Sequence, residues 1–297
     1  MVEMEEKHLL ERDKKWGWVF VAPYIVGLLV FFLIPVICSM YFSLTDYNMI
    51  SAPKFIGLKN YIKVFTDPKI LEAYRNTFVF LICYLPMEIF LSCVLAVLLN
   101  QKLKSIAVFR GIFFTPVIAP MVAVGAIWVM LYNPFGGIIN QLFGVFGIEP
   151  RQFVFSKNWF EVIVSIAVLC IWKGIGSQAI YLLAALQSIS NDIYEAALID
   201  GAGPVRKFFS ITIPLLSPTI FYLTVLGVIG TINSFEIFSI MTQEGAELPV
   251  IATYIYQNAF RKNRVGLASA IGWVTFVIVA ILTWLQKVAE KRWVHYE

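Results

Sequence analysis

Charge is scarce in this chain, and its scarcity excludes more than any residue present. Asp, Glu, Lys and Arg make up only 14% of the 297 residues, where soluble domains carry about 25%. Residues 16–45, 111–148, 208–235 and 265–286 have no charge at all. Histidine occurs twice, as His8 and His295 in the polar tails, and no metal or nucleophile constellation forms around either. The cysteines Cys38, Cys83, Cys93 and Cys170 lie in apolar stretches without C-x-x-C spacing and read as small buried hydrophobes. There is no G-x-x-x-x-G-K-S/T loop, so the chain does not hold ATP in that way. No catalytic residue, metal or cofactor is expected on this polypeptide. A net charge of +4 gives no case for nucleic acid. Neither an internal repeat nor a low-complexity linker is visible, so residues 1–297 are read as a single membrane domain.

What is there is apolar length. Hydrophobic residues reach 59% of the sequence. Crossing roughly 30 Å of hydrocarbon takes about 20 apolar residues in a helix, and backbone hydrogen bonding inside lipid makes helix the natural choice. The runs predict an all-α membrane protein with six transmembrane helices, at about 17–43, 76–99, 108–132, 160–186, 214–241 and 265–287. Trp16, Tyr41, Tyr132, Trp159 and Trp284 fall near their ends, where amphipathic rings favour the headgroup zone. Pro23, Pro35, Pro86, Pro116, Pro120 and Pro218 interrupt the spans and read as kinks. The first run follows Arg12, Lys14 and Lys15, but it is too long for a signal-peptide core and ends in no A-x-A-like site, so it is expected to remain as a helix. Six spans put both termini on one side. Placing that side inside gives it twelve basic residues, against ten in longer outside segments that include Lys54, Lys59, Lys63, Lys69 and Arg75. The bias toward cytoplasmic termini is weak. Residues 44–75 read as a structured outer loop with a short amphipathic helix.

The link at about 187–213 is the most informative segment. Asp192 followed by Glu195 reads as a capping-box-like helix start. Ala196, Ala197 and Leu198 favour helix, Gly201 reads as its stop, and Pro204 fits the first turn of a second helix. Glu195-Ala196-Ala197, three residues, Gly201, nine residues and Ile211-Thr212-Ile213-Pro214 closely resembles the EAA loop of bacterial binding-protein-dependent ABC permeases, with Ile213 where leucine is usual. Ala22-Pro23-Tyr24 through Pro35 to Ser43-Leu44-Thr45-Asp46-Tyr47 resembles the opening helix of the maltose-type and glycerol-3-phosphate-type sugar permeases. Phe55-Ile56-Gly57-Leu58-Lys59-Asn60-Tyr61 and Asn76-Thr77 resemble the outer loop and second helix of the same group.

This resemblance implies the type I ABC importer permease fold. It implies a second permease subunit, a pair of ATPase subunits that bind the ATP–Mg, and an extracytoplasmic solute-binding protein, all in the lipid of a bacterial or archaeal cell membrane. It makes Glu195, Ala196, Ala197, Asp200 and Gly201 the coupling helix that docks on the ATPase, and it puts that loop in the cytoplasm. The solute class it implies is carbohydrate, oligosaccharide first. A secondary transporter for a small polar solute is the alternative, but it has no use for a docking loop and no inverted repeat shows.

The resemblance also carries over Gly174, Ser177, Thr231 and Ser234 as candidates for the solute route through the fourth and fifth spans. Trp172 and Lys173 near the midpoint of the fourth span, Asn233 in the middle-to-outer part of the fifth and Glu236 in its outer half join them, because they interrupt apolar helices with aromatic or polar groups. Packing of small and polar residues between helices accounts for the same pattern. Lys173 stands out, since a lysine at that depth costs roughly 2.5–3.5 kcal/mol on insertion scales. Three readings offset the cost: an ion pair with Glu88 or Glu236, snorkelling of the stem, or a place facing the central cavity.

Overall fold

The structure is a computed structural model that describes residues 17–101, 105–242 and 248–294. The basic residues Lys7, Arg12, Lys14 and Lys15, with Trp16, Lys102, Lys104 and both histidines, lie outside the described residues. The described residues divide into two compact units, one drawn from 17–64 and 258–274, the other from those after 64 and before 258 together with 275–294.

The first unit contains α1 (Gly17–Ser43), which is continuous through a π-helical turn at Leu29–Leu33. A minimal hairpin follows, β1 (Thr45–Asp46) against β2 (Lys54–Phe55), antiparallel with Thr45 opposite Phe55. Asn60, on α2 (Lys59–Thr66), donates from Nδ2 to the carbonyls of Ser43 and Thr45 at 2.9 Å each. That one amide ties the end of α1 to the hairpin, because its two hydrogens satisfy one helix-end carbonyl and one strand carbonyl. Gly266 packs its bare Cα on the Thr45 carbonyl, where any side chain would collide.

The second unit is built on two long helices packed along their length, α3 (Pro68–Leu99) and α7 (Trp159–Ser188). Asp67 caps α3 by accepting from the Lys69 N–H, and Asn158 caps α7 by accepting from Phe160, so both begin on the short polar side chains that favour this position. Around them lie α4 (Ile106–Ile118), α5 (Met121–Leu131), α6 (Ile138–Val145), α8 (Asn191–Ile199), α9 (Pro204–Leu215), α10 (Ser217–Ile232), α11 (Glu236–Met241) and α12 (Ile251–Tyr256). The final helix, α13 (Val265–Trp293), is the fourth that is long and apolar enough to cross a membrane, after α1, α3 and α7. Phe80 of α3 meets Phe238 of α11 edge-on at 4.9 Å, and Tyr132 donates to the Ser165 carbonyl at 2.8 Å, in a core where Ile163, Ile166 and Leu169 are fully buried.

Two of the expected spans are broken. Residues 108–132 form α4 and α5, bent by 99°. Pro120 has no N–H to give the Pro116 carbonyl, and Ala119 before it is pushed into an extended conformation (φ −66°, ψ 135°). The same arithmetic breaks the fifth span. Pro218 has no N–H for the Pro214 carbonyl, the Ser217 hydroxyl takes that place at 2.6 Å, and α9 meets α10 at a 69° bend. The fifth span also stops at Ile232, and 236–241 is the separate helix α11. With each bent pair counted as one span, the described residues supply six.

Candidate solute cavity and coupling helix

A cavity of about 390 Å³ opens between α3, α7 and α10. On α3 its wall is Phe80, Tyr84 and Glu88, four residues apart and therefore on one helix face. Phe80 and Tyr84 stack with ring centroids 5.3 Å apart. On α7 the wall is Lys173, Gly174, Ser177, Gln178 and Tyr181, and α10 adds Gly227, Gly230 and Thr231, with Ser234 just beyond it.

Five of the eight residues expected on the solute route therefore come together: Lys173, Gly174, Ser177, Thr231 and Ser234. Three do not line this cavity. Trp172 is one helical step off the face and packs on Trp128 at 5.5 Å. Asn233 is exposed and donates to the Ile229 carbonyl, ending α10. Glu236, also exposed, starts α11 beyond the break. Phe80, Tyr84 and Tyr181 were not singled out from the sequence, although the spacing of Phe80, Tyr84 and Glu88 was there to be read. A larger cavity of about 460 Å³ lies at the other end of α5 and α7, walled by aromatic rings such as Tyr132, Phe143, Phe153 and Phe160, and holds none of the expected residues.

Lys173 lies in the cavity wall, the third of the expected places, but its ammonium is bonded to backbone. Its ammonium donates to the carbonyls of Pro116 (2.8 Å), Val117 (3.3 Å) and Ala119 (2.7 Å), and no ion pair to Glu88 or Glu236 forms among the described residues. These acceptors are the orphan carbonyls at the end of α4, where the helix dipole also favours a cation. The lysine caps a helix other than its own.

Glu88 is 1% exposed and shares the cavity wall with Tyr84 and Gln178. Its Oε1 occupies the space where a Cβ on Gly174 would sit, and its Oε2 has no partner among the described residues. Gly176 likewise lets the backbone of α4 at Phe113 come against α7. Both glycines are thus required by close approach.

The link after α7 is the expected helix, turn and helix. The start differs: Ser190, not Asp192, is the N-cap, its hydroxyl accepting from the Asp192 N–H at 3.3 Å. Asp192 lies in the first turn, where its charge favours the helix dipole. Gly201 is left-handed at φ +73° and closes α8 with two bonds, its own N–H to Leu198 and that of Ala202 to Ala197, the Schellman pattern. Pro204 opens α9 as expected, and Tyr194 bonds Thr212 across the pair at 3.1 Å. Ala197 is buried, while Glu195, Ala196 and Asp200 are exposed alongside Leu198 and Ile199, the last at 88%. An isolated nine-residue helix with such a bare apolar edge is an anchored but uncovered element.

Residues 88–295 match the family described as binding-protein-dependent transport system inner membrane component. The chain belongs to that family. It is a multi-pass inner-membrane protein and a permease component of an ABC transporter, not an enzyme. It is 34% identical to the probable ABC transporter permease protein YesP of Bacillus subtilis over 99% of this chain and 96% of that one. It is 34% identical to the lactose transport system permease protein LacF of Rhizobium radiobacter, covering 93% and 94%. Among solved structures, a chain of a bacterial alginate ABC transporter, crystallised with its alginate pentasaccharide-bound periplasmic protein, superimposes with a TM-score of 0.81 at 25% identity, covering 95% of this chain and 96% of that one.

Proposed function

We propose that the chain is one of the two membrane subunits of an importer that brings a carbohydrate into the cell, with the α3–α7–α10 cavity as its solute passage. The observation that carries this reading is the make-up of the cavity wall. The ring of Tyr84, backed by the buried Phe80, shares the wall with hydroxyl and amide groups at Ser177, Gln178, Thr231 and Ser234. Sugars offer both an apolar ring face and a hydroxyl rim, and this pairing matches both. The names of relatives, among them lactose and trehalose/maltose systems, support the same class.

In this reading α8 is the coupling helix. Glu195, Ala196, Asp200 and the bare Leu198–Ile199 edge meet a separate ATPase subunit, which holds the ATP–Mg, and both termini are cytoplasmic. A second permease completes the bundle, and an extracytoplasmic binding protein delivers the solute. Closure of the ATPases pulls on α8, and the rigid α8–α9 pair passes that movement to α10 at the cavity wall, a rigid-body switch of access. The test is reconstitution of the four components in proteoliposomes with a panel of labelled neutral and acidic oligosaccharides, glycerol phosphate and an amino acid. ATP-dependent accumulation of a sugar, abolished by Gly230→Trp at the cavity wall in an assembled complex, is expected. Accumulation of the amino acid alone, or full sugar uptake in Gly230→Trp, overturns the reading.

A further inference from the structure

The larger cavity, of about 460 Å³, takes no part in the proposed passage, and its wall changes in character from one end to the other. One end is polar: Asn158 caps α7, Glu161 lies in its first turn, and Arg151 stands on the link before it. Asn140 fixes Arg151 there, since its side-chain amide bonds the Arg151 N–H and carbonyl at 2.9 Å each. From that end the wall runs along α7 to Val168, beside Tyr132 and Trp128 of α5. Trp128 marks the far end, where it packs on Trp172. The two hydroxyls on the way donate to backbone, Tyr132 to the Ser165 carbonyl and Ser165 to that of Glu161, both at 2.8 Å. The stretch of α7 from Asn158 to Val168 covers about 15 Å, half of the roughly 30 Å hydrocarbon core. Phe160, Val164 and Val168 repeat every four residues and are exposed, so one edge of the cavity is an open apolar stripe. Arg151 and Glu161 share the wall, yet neither forms an ion pair among the described residues.

From this gradient we propose that the cavity holds one acyl chain of a phospholipid whose head carries both signs of charge, the ethanolamine type, with its phosphate on Arg151 and its ammonium on Glu161. One leaflet is half a bilayer deep, and so is this cavity, with its charges at the level of the headgroups and its aromatic rings below them. A guanidinium matches phosphate oxygens in a two-pronged bond, and the carboxylate beside it favours a head with an ammonium over one that is only anionic. A sugar needs polar partners along its whole length, and here the charged and amide side chains all stand at one end. The site is independent of what passes between α3, α7 and α10. It bears on that passage through α7 alone, which walls both cavities.

The experiment is photo-cross-linking in the complete complex of both permeases and the ATPase, embedded in nanodiscs. The probes are phosphatidylethanolamine and phosphatidylglycerol, each with a diazirine midway along one acyl chain, and adducts are mapped by mass spectrometry of peptides. Peptides holding Trp128, Tyr132, Val164 and Val168 are expected to carry about fivefold more ethanolamine than glycerol lipid, near the upper worth of one exposed ion pair. Glu161→Gln should remove that preference, and Arg151→Gln should lower labelling by both lipids. Val164→Trp, which fills the cavity, should abolish it, and Val168→Trp serves the same purpose if Val164→Trp does not assemble. Equal or stronger labelling by the glycerol lipid in the unmodified complex overturns the proposal. So does labelling no higher than that of α1, which is exposed along most of its length. Cross-linking of this wall to the second permease in place of lipid also overturns it, and makes the cavity a subunit interface.

Discussion

Lys173 shows how a charge deep in a membrane is held without a counter-ion. Three backbone carbonyls surround its ammonium, and each is an acceptor the α4–α5 break had left open. Lys173→Met removes the donor from all three at once. Leaving even one buried acceptor unpaired costs about 1–3 kcal/mol, so the variant should unfold at visibly lower temperature in detergent. Lys173→Arg, which keeps several donors, should recover part of the loss. An ion pair with Glu88 would instead make Glu88→Gln as damaging as Lys173→Met, which thermal unfolding of the two variants distinguishes. Gly174 gives the second prediction at this scale. A methyl there falls on Glu88 Oε1, and overpacking of this kind costs about 1–3 kcal/mol. Gly174→Ala should therefore destabilise the wild type but be nearly neutral in a Glu88→Ala background, a coupling a double-mutant cycle measures. The sequence made Lys173 conspicuous through its insertion cost, yet its partners were illegible, because backbone carbonyls look alike in every sequence. The clue was Pro116 and Pro120, four apart, which leave the first carbonyl without its donor.

At the scale of elements, punctuation was legible and termini were not. Gly201 and Pro204 were read correctly as stop and start of the α8–α9 pair because each has a backbone requirement no other residue meets as well. The N-cap was misplaced at Asp192 because Ser190, Asn191 and Asp192 are all acceptable caps in a row, and only the folded backbone selects one. Gly201→Ala tests the left-handed turn: with φ at +73°, the substitution should cost about 1 kcal/mol and weaken coupling of ATP hydrolysis to uptake in proteoliposomes. The fifth span was read as ending at 241 because its apolar pattern continues, whereas the Thr231–Ser234 segment uses side-chain bonds to its own carbonyls and lets the chain turn. Propensity and hydropathy do not register such a turn.

For the whole molecule, the exposed edge of α8 and the cavity are distinct surfaces of one unit, so their failures should look different. Glu195→Ala is expected to leave maltotriose binding unchanged while reducing ATP-coupled uptake several-fold; loss of binding in that variant would tie the two surfaces together. The six apolar runs and the EAA-like segment made the architecture legible in the sequence, since lipid leaves the backbone few choices. The walls of the cavity needed the fold, because they come from three helices spread between residues 80 and 234.

The α4–α5 break also has a meaning for how the chain is made. During synthesis α4 enters the bilayer before Lys173 exists, with the Pro116, Val117 and Ala119 carbonyls still lacking the ammonium that later holds them. When α7 arrives, it is the least hydrophobic of the four long helices, with a mean hydropathy of 1.7 against 2.3 to 2.6 for the others. Each segment carries what the other lacks. Their insertion is expected to be coupled: α7 alone should insert less completely than in the presence of co-expressed α4–α5. Glycosylation mapping of α7 fused to a reporter, with and without the upstream segment, reads that dependence directly, and Lys173→Leu should abolish it.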